Sequence, residues 1–357
     1  MEEIFSYQLS FTDIEADKYI EYRRSHADPR IHAMDRLTDE VVDELVKLCL
    51  PFYHKKKGLA VQAGRPYMRL EMMVRLHLLQ ISLNYSDLLM EVYLTSDVAA
   101  RRFCQVPSGR TTVSDTSLLR FRRFIERHGI AEKFLARTVH IAEDMGAFSL
   151  ESVAADGTFI DAPDSTKNQA HARDPEMASG KKGNTWHFGM KEHIAASLNS
   201  GVVYSVAAGP ANEHDITRLA DILSGGEQNI FLDSGYLGCH KREEVLALPF
   251  EKKVSWFVAD KPSAWKKQLA IGEAIEGKVG EAIKGMVAVK RQFEHAKASA
   301  RCAIEWTFHW IKNIYGYSKT RYRGIAKNHS RTVMLCSLYN WYRMGKWRAR
   351  QLQPQPC

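Results

Sequence analysis

Apolar residues recur at helical spacing through the first part of the chain. Within Met68–Leu83, Leu70, Met73, Val74, Leu76, Leu78 and Ile81 fall close to a 3.6-residue period, and Val41, Leu45 and Leu48 follow a capping candidate, Thr38. Ser86 and Ser96, each followed by Asp, read as N-caps of two short helices. Ser114–Asp115 reads as another start, with stops at Gly129 and Gly146. Periodicity therefore predicts an all-helical region over residues 1–147.

From Glu151 the pattern shortens to alternation. Strands are predicted at 151–162, 187–197, 202–208, 229–233 and 254–259, with helical segments at 215–223 and 241–248. Three strands, then helix, strand, helix, strand, make a mixed α/β core rather than a strictly alternating parallel one. Residues 261–296, dotted with Lys and with Gly272, Gly277, Gly280 and Gly285, read as an irregular excursion. From Ala298 the chain reads as helical, turns near Gly316, and closes in a basic, aromatic helix around 332–350 before a frayed Gln/Pro tail.

Composition adds exclusions. With 45% apolar and 26% charged residues in 357, the chain is neither disordered nor fibrous. No run approaches the ~18 apolar residues of a membrane span, and the acidic Met1-Glu2-Glu3 start is unlike a signal peptide. The expectation is a cytoplasmic protein with no membrane partner. Six scattered cysteines without a C-x2-C pair read as reduced thiols.

Charge sharpens the picture when it is divided. The net +8 resolves into zero over 1–150, −3 over 151–296 and +11 over 297–357. The last stretch holds one acid, Glu305, among twelve cations, which points to a polyanionic partner.

Three carboxylates stand out by position. Asp156 lies within the first strand, Asp233 closes the strand NIFLD, and Glu305 sits in the helix SARCAIEWTFHWIKNIY. A set without His or Cys suits hard cations, Mg2+ or Mn2+, and two such ions ~4 Å apart serve phosphodiester chemistry. Arg301 and Lys312 stand four before and seven after Glu305, on the same helical face. Taken singly, each acid is equally an ordinary strand-end or surface carboxylate, and Arg301–Glu305 an ordinary i,i+4 ion pair.

Other clusters carry weaker signals. Asp161, five residues past Asp156, points to the opposite face and reads as a strand-end residue. His187, Lys191 and His193 share a strand face, with His214–Asp215 further on. Zinc ligation, a DNA-facing role for Lys191, and plain half-buried packing are the readings open there. Arg120, Arg123 and Arg127 line one side of the helix Leu118–His128, opposite Leu118, Phe121 and Ile125, as a DNA-recognition helix or a solvated basic face would. Lys319, Arg321, Tyr322, Arg323, Lys327 and Arg331 interleave cations with an aromatic and no acid, a phosphate-binding pattern. Trp306 and Trp310 read as core residues.

The order R-x3-E-x6-K (Arg301, Glu305, Lys312) after D-G-T at Asp156 and D-x-G-Y at Asp233 resembles the DDE transposases of bacterial insertion sequences. The segments 161–194 and 315–328 are similar to the stretches that follow the first aspartate and the glutamate in that group. The segment from Gly64 to Cys104, with SDTSLLRFRRFIE, is similar to its helical N-terminal domain. Where the fuller signature has a tyrosine three residues before the arginine, this chain has Ala298.

The resemblance implies a DNA-binding helical domain (1–147), a ribonuclease-H-like catalytic core (148–316) and a basic C-terminal segment (317–357). It implies Asp156, Asp233 and Glu305 as ligands of two Mg2+ or Mn2+ ions, with Arg301 and Lys312 on DNA near the cut end. The partners implied are double-stranded DNA, both element ends and target, and a second copy in the DNA complex, on the bacterial nucleoid. A catalytically inactive DNA-binding regulator and a nuclease without strand transfer are the rival readings.

Overall fold

Residues 11–53, 68–107, 112–169, 171–275 and 277–352 are described by the computed structural model. They form two units. One holds the described residues up to Arg137 with Ile314–Tyr317 and Ser330–Tyr342, and the other holds Thr138–Asn313, Ser318–His329 and Arg343 onward.

The first unit is helical, as the periodicity predicts. It contains α1 (Phe11–Ser25), α2 (Pro29–Asp35), α3 (Asp39–Tyr53), α4 (Leu70–Ser82), α5 (Asp87–Ser96), α6 (Val98–Phe103), α7 (Asp115–Arg127) and the start of α8 (Ile130–Asp144). Every residue of α4 except Glu71 is buried, so its stripe is wider than an amphipathic helix needs. Its polar side chains are satisfied: Arg75 donates to Glu71 (2.9 Å) and Asp39 (2.5 Å), and Gln80 donates to Asp87 (2.8 Å). Ser86 caps α5 by accepting from Leu89 N (3.1 Å). For α6 the cap is Asp97, which accepts from Ala100 N (2.8 Å), and not Ser96, which ends α5. Gly129 and Gly146 adopt the positive φ expected of helix stops, +56° and +66°.

The second unit is built on one mixed sheet: β1 (Ser152–Asp161), β2 (Ala178–Lys182), β3 (Thr185–Ser197), β4 (Val203–Pro210), β5 (Asn229–Leu232) and β6 (Ser255–Val258). The order is β2-β3-β1-β5-β6, with β4 also on β3; β1 runs antiparallel to β3 and parallel to β5, and β5 parallel to β6. Short helices α9 (Leu219–Ile222) and α10 (Glu243–Leu246) precede β5 and β6. This is the mixed α/β, ribonuclease-H-like arrangement the sequence predicts. β2 was not foreseen because ASGKK lacks β-branched and aromatic residues. A Cβ on Gly180 would strike the Ala211 carbonyl, so the strand needs glycine there.

Residues 261–296 are a correction. They are helical, in α11 (Pro262–Ala274) and the 32-residue α12 (Lys278–His309). The glycines suggested irregularity, but Gly280 and Gly285 cost only ~1 kcal/mol each, and the alanines and long unbranched side chains around them favour helix. The predicted helix through Tyr315 breaks at Trp310–Ile314 into a π turn, and α13 (Ile325–Gln351) follows. The tail beyond Leu352, with Cys357, lies outside the described residues. Among the described residues none of the other five cysteines is in a disulfide, and all but Cys302 are buried.

Candidate catalytic and DNA-contacting site

Strand register decides which acids meet. β1 and β5 are parallel, and their last paired residues are Ala155 and Leu232. The next residue on each strand is an aspartate, Asp156 and Asp233. Neighbouring strands lie ~4.8 Å apart, so these carboxylates stand side by side where the two strands begin to part. Val153, Ala155, Ile230 and Leu232 point into the core formed with Leu219, Ile222 and Val245. By alternation both aspartates therefore occupy the opposite face, with Phe231. Phe231 stacks on Phe257 (4.6 Å), which meets Phe293 of α12 (6.2 Å), so α12 covers the face bearing the acids.

Each aspartate is held by the backbone of its successor. Asp156 accepts from Gly157 N (2.8 Å) and Asp233 from Ser234 N, where it caps the turn Ser234–Tyr236. Burial pushes the Asp156 carboxyl up to about 6; Asp233 and Asp215 add to the rise, while the Gly157 N–H and the Arg301 charge oppose it. A desolvated carboxylate crowded by a second one favours a cation between them.

Arg301 acts on Asp156 electrostatically from α12, and its Nε is buried without a hydrogen-bond partner among the described residues. It forms no ion pair with Glu305, one turn further on, whose side chain is exposed. Among the described residues, no group of three or more His, Cys, Asp or Glu is gathered as a metal cage. The structure thus joins two of the three singled-out acids and leaves Glu305 outside. The same finding answers the zinc reading of the histidines. His187 instead pairs with Asp161 (2.8 Å) and stacks on Phe159, and His193 is fully buried.

Lys191 is also buried, and its ammonium donates to Glu213 O (2.8 Å) and Asp215 (3.0 Å) rather than reaching a surface. It belongs to a cluster that composition did not reveal. A Cβ on Gly157 would stand 2.8 Å from Asp215 Oδ1 and 3.0 Å from His193 Nδ1, so this glycine admits both groups against the strand that carries Asp156. Burial lowers His193 to about 4, with Lys191 also lowering it and Asp215 opposing. Glu192, on the next strand position, is buried against His329 (3.1 Å). The glycine of D-G-T and the His214-Asp215 pair were the available signals.

The cations separate into two sets. Lys312 lies in the π turn, half-buried; burial lowers its pKa, as does nearby Lys182, while Asp161 raises it. The backbone around Lys319 pairs with Asp161 at the end of β1 in a single parallel β-bridge, and Lys319, Arg321, Arg323 and Lys327 are exposed. Arg331 is a correction to the basic stripe: it is buried, donates to Ile81 O (3.3 Å) and Asn84 (3.0 Å), and lies over the Tyr317 ring. Trp310 is buried as expected, but Trp306 is 45% exposed and stacks on His309. In the helical unit, α7 buries Leu118, Phe121 and Ile125 and exposes Arg120, Arg123 and Arg127.

Two family models match the chain, described as "Transposase DDE domain" over residues 148–341 and "Transposase domain (DUF772)" over residues 20–124. No solved structure gives a significant match. Among the described residues no helix is long and apolar enough to cross a membrane. The first model spans more than half of the chain, including Asp156, Asp233 and Glu305, and the second falls within the helical region before them. The chain belongs to the DDE transposases of insertion sequences.

Proposed function

We propose that this transposase binds the ends of its element, hydrolyses a phosphodiester there and joins the freed 3′-hydroxyls to target DNA. The observation that supports this reading best is the register placing Asp156 beside Asp233 beneath α12. The donor chemistry fits Mg2+ or Mn2+: the two carboxylates are close, that of Asp156 is desolvated, and every candidate ligand is oxygen. Asp156 and Asp233 are proposed to hold two ions, with Glu305 rotating in from its exposed position on α12. When bound, such ions neutralise charge on the phosphodiester and lower the pKa of water.

The chain's own groups then have separable tasks. Arg301, whose charge reaches Asp156 in the structure, is proposed to turn to a DNA phosphate once the acids are neutralised. Lys312, with its lowered pKa, is proposed to contact the same strand, and Lys319, Arg321, Arg323 and Lys327 to hold the backbone beyond it. Residues 1–147 are proposed to bind element ends through Arg120, Arg123 and Arg127, with 148–316 doing the chemistry and 317–357 assisting. Joining two ends calls for two copies.

The test is a nicking and strand-transfer assay on a duplex carrying the inverted repeats that flank the gene, with Mg2+ or Mn2+. Asp233→Asn should lose cleavage and keep DNA affinity within about twofold. Undiminished cleavage by that variant, or by wild type in EDTA, contradicts the assignment, and cleavage without joining would make the protein a nuclease.

A further inference from the structure

We propose that Asp215 is a fourth carboxylate of the cation site, held in place by buried Lys191 and acting through water on an ion bound to Asp156 and Asp233. The proposal rests on the reading of those two aspartates as cation ligands, and it deepens that reading by adding a residue from outside the three acids singled out in the sequence.

The placement follows from where the strands part. Ala155 and Leu232 are the last paired residues of β1 and β5, and beyond them the two chains diverge. The short turn Asp215–Arg218, which follows β4, is seated at that divergence. On one side it touches β1: a Cβ on Gly157 would stand 2.8 Å from Asp215 Oδ1, a spacing that glycine alone permits. On the other side the turn packs on Ser234–Tyr236, the turn capped by Asp233. Asp215 thus approaches from the opposite face of the sheet and reaches the strand ends that carry Asp156 and Asp233.

A buried hydroxyl marks where the three charges converge. Tyr236 is fully buried, and its hydroxyl has no hydrogen-bond partner among the described residues. Burial holds that hydroxyl well above the ordinary tyrosine range, and the charges of Asp156, Asp215 and Asp233 add to the rise. An unsatisfied hydroxyl beside three carboxylates calls for water between them. Among the described residues no three acids are gathered to hold one ion directly. The contribution of Asp215 is therefore to the ordered water around the ion, as an outer partner that orients it.

Lys191 fixes the carboxylate in advance. Its ammonium donates to Asp215 Oδ1 (3.0 Å) and Glu213 O (2.8 Å) and lies over the Phe159 ring (4.8 Å), and buried His193 stands 3.9 Å from the same Oδ1. Arg218, at the far end of the turn, grips Glu213 through two bonds (2.6 and 2.9 Å). Asp215 Oδ2 accepts no hydrogen bond among the described residues, and with the side chain 32% exposed that oxygen is open to water. A buried ion pair adds little stability over apolar residues of the same size, so the Lys191–Asp215 pair is better explained by what it positions.

The test is equilibrium Mn2+ binding to the full-length protein without DNA, read from the EPR signal of free Mn2+ during titration with MnCl2, so that no cleavage is required. Asp215→Asn keeps the shape of the side chain and an oxygen for Lys191, and removes only the charge. It should weaken Mn2+ binding about fivefold, the size expected of one charge acting across a water on a divalent ion. Asp221→Asn, the same change of charge further along the chain, should alter binding less than about 1.5-fold. Wild-type Mn2+ affinity in Asp215→Asn, which is the result a purely structural brace would give, overturns the proposal, as does an equal loss in Asp221→Asn. Asp156→Asn and Asp233→Asn enter the same titration. Undiminished affinity in both would contradict the cation reading itself, whereas a loss in both with none in Asp215→Asn would overturn the fourth carboxylate alone.

Discussion

Replacing Asp156 by Asn isolates the electrostatic strain at the site. The folded carboxyl titrates at about 6, against an ordinary 3.8, because burial and the neighbouring aspartates disfavour its charge. Below pH ~3.8 the group is protonated in folded and unfolded chains alike and its stability contribution is intact. As pH rises through 6 the unfolded chain ionises first and stability is lost, to the extent of ~1.4 kcal/mol for each pKa unit of difference, about 3 kcal/mol at most. Asparagine has nearly the same shape and does not titrate, so Asp156→Asn should be the more stable protein above pH 6 when divalent cations are chelated. The advantage, ~1–3 kcal/mol, corresponds to a few degrees in Tm for a chain of this size. The assay is thermal unfolding of both proteins in EDTA from pH 4.5 to 8. The gap should open between pH 4.5 and 6.5 and then level, and millimolar Mg2+ should narrow it by stabilising wild type alone. Parallel pH profiles, or equal Mg2+ responses, would refute the reasoning.

Three further outcomes follow from particular contacts. Gly157→Ala places a Cβ 2.8 Å from Asp215 Oδ1 and 3.0 Å from buried His193, and should cost ~1–3 kcal/mol in chemical denaturation as well as cleavage; a fully active variant of wild-type stability would show that the cluster yields freely. Converting Arg120, Arg123 and Arg127 together to Gln should leave Tm within about a degree, since all three are exposed, and reduce the salt slope of end-DNA binding by up to ~2.7; an unchanged slope would leave them a solvated face. Lys312→Ala should reduce single-turnover cleavage at least tenfold with under threefold change in Kd, and equal losses would make it an affinity contact alone.

How far the sequence carried the fold depends on which signal each element used. Helices α3, α4, α5 and α7 are legible from apolar spacing and capping residues, and five of the six strands from runs of β-forming residues. β2 is not, since its place depends on Gly180 fitting under Ala211 and not on side-chain type. α12 is obscured in the sequence by Gly280 and Gly285, whose cost the alanines and long unbranched side chains around them offset. At the site, Asp156 and Asp233 could be singled out as acids in strand contexts, but their adjacency is a property of the β1–β5 register, which no local pattern encodes. Helical spacing puts Arg301 beside Glu305; in the structure the two form no ion pair, and the Arg301 charge acts on Asp156, a partner on another element that spacing within one helix does not reveal. Lys191 and Arg331 show the converse. Both are cations whose partners, Asp215 and the Ile81 carbonyl, are distant in sequence and leave them buried.

The central claim is that Glu305 completes a cation site begun by Asp156 and Asp233, and a ligand-swap measurement addresses it directly. Glu305→Cys replaces a hard oxygen donor by a thiolate, which suits Mn2+ better than Mg2+. Cleavage of end DNA by this variant should fall at least a hundredfold in Mg2+ and recover at least tenfold in Mn2+, with DNA affinity unchanged. Wild-type cleavage by Glu305→Cys in Mg2+ would contradict the account.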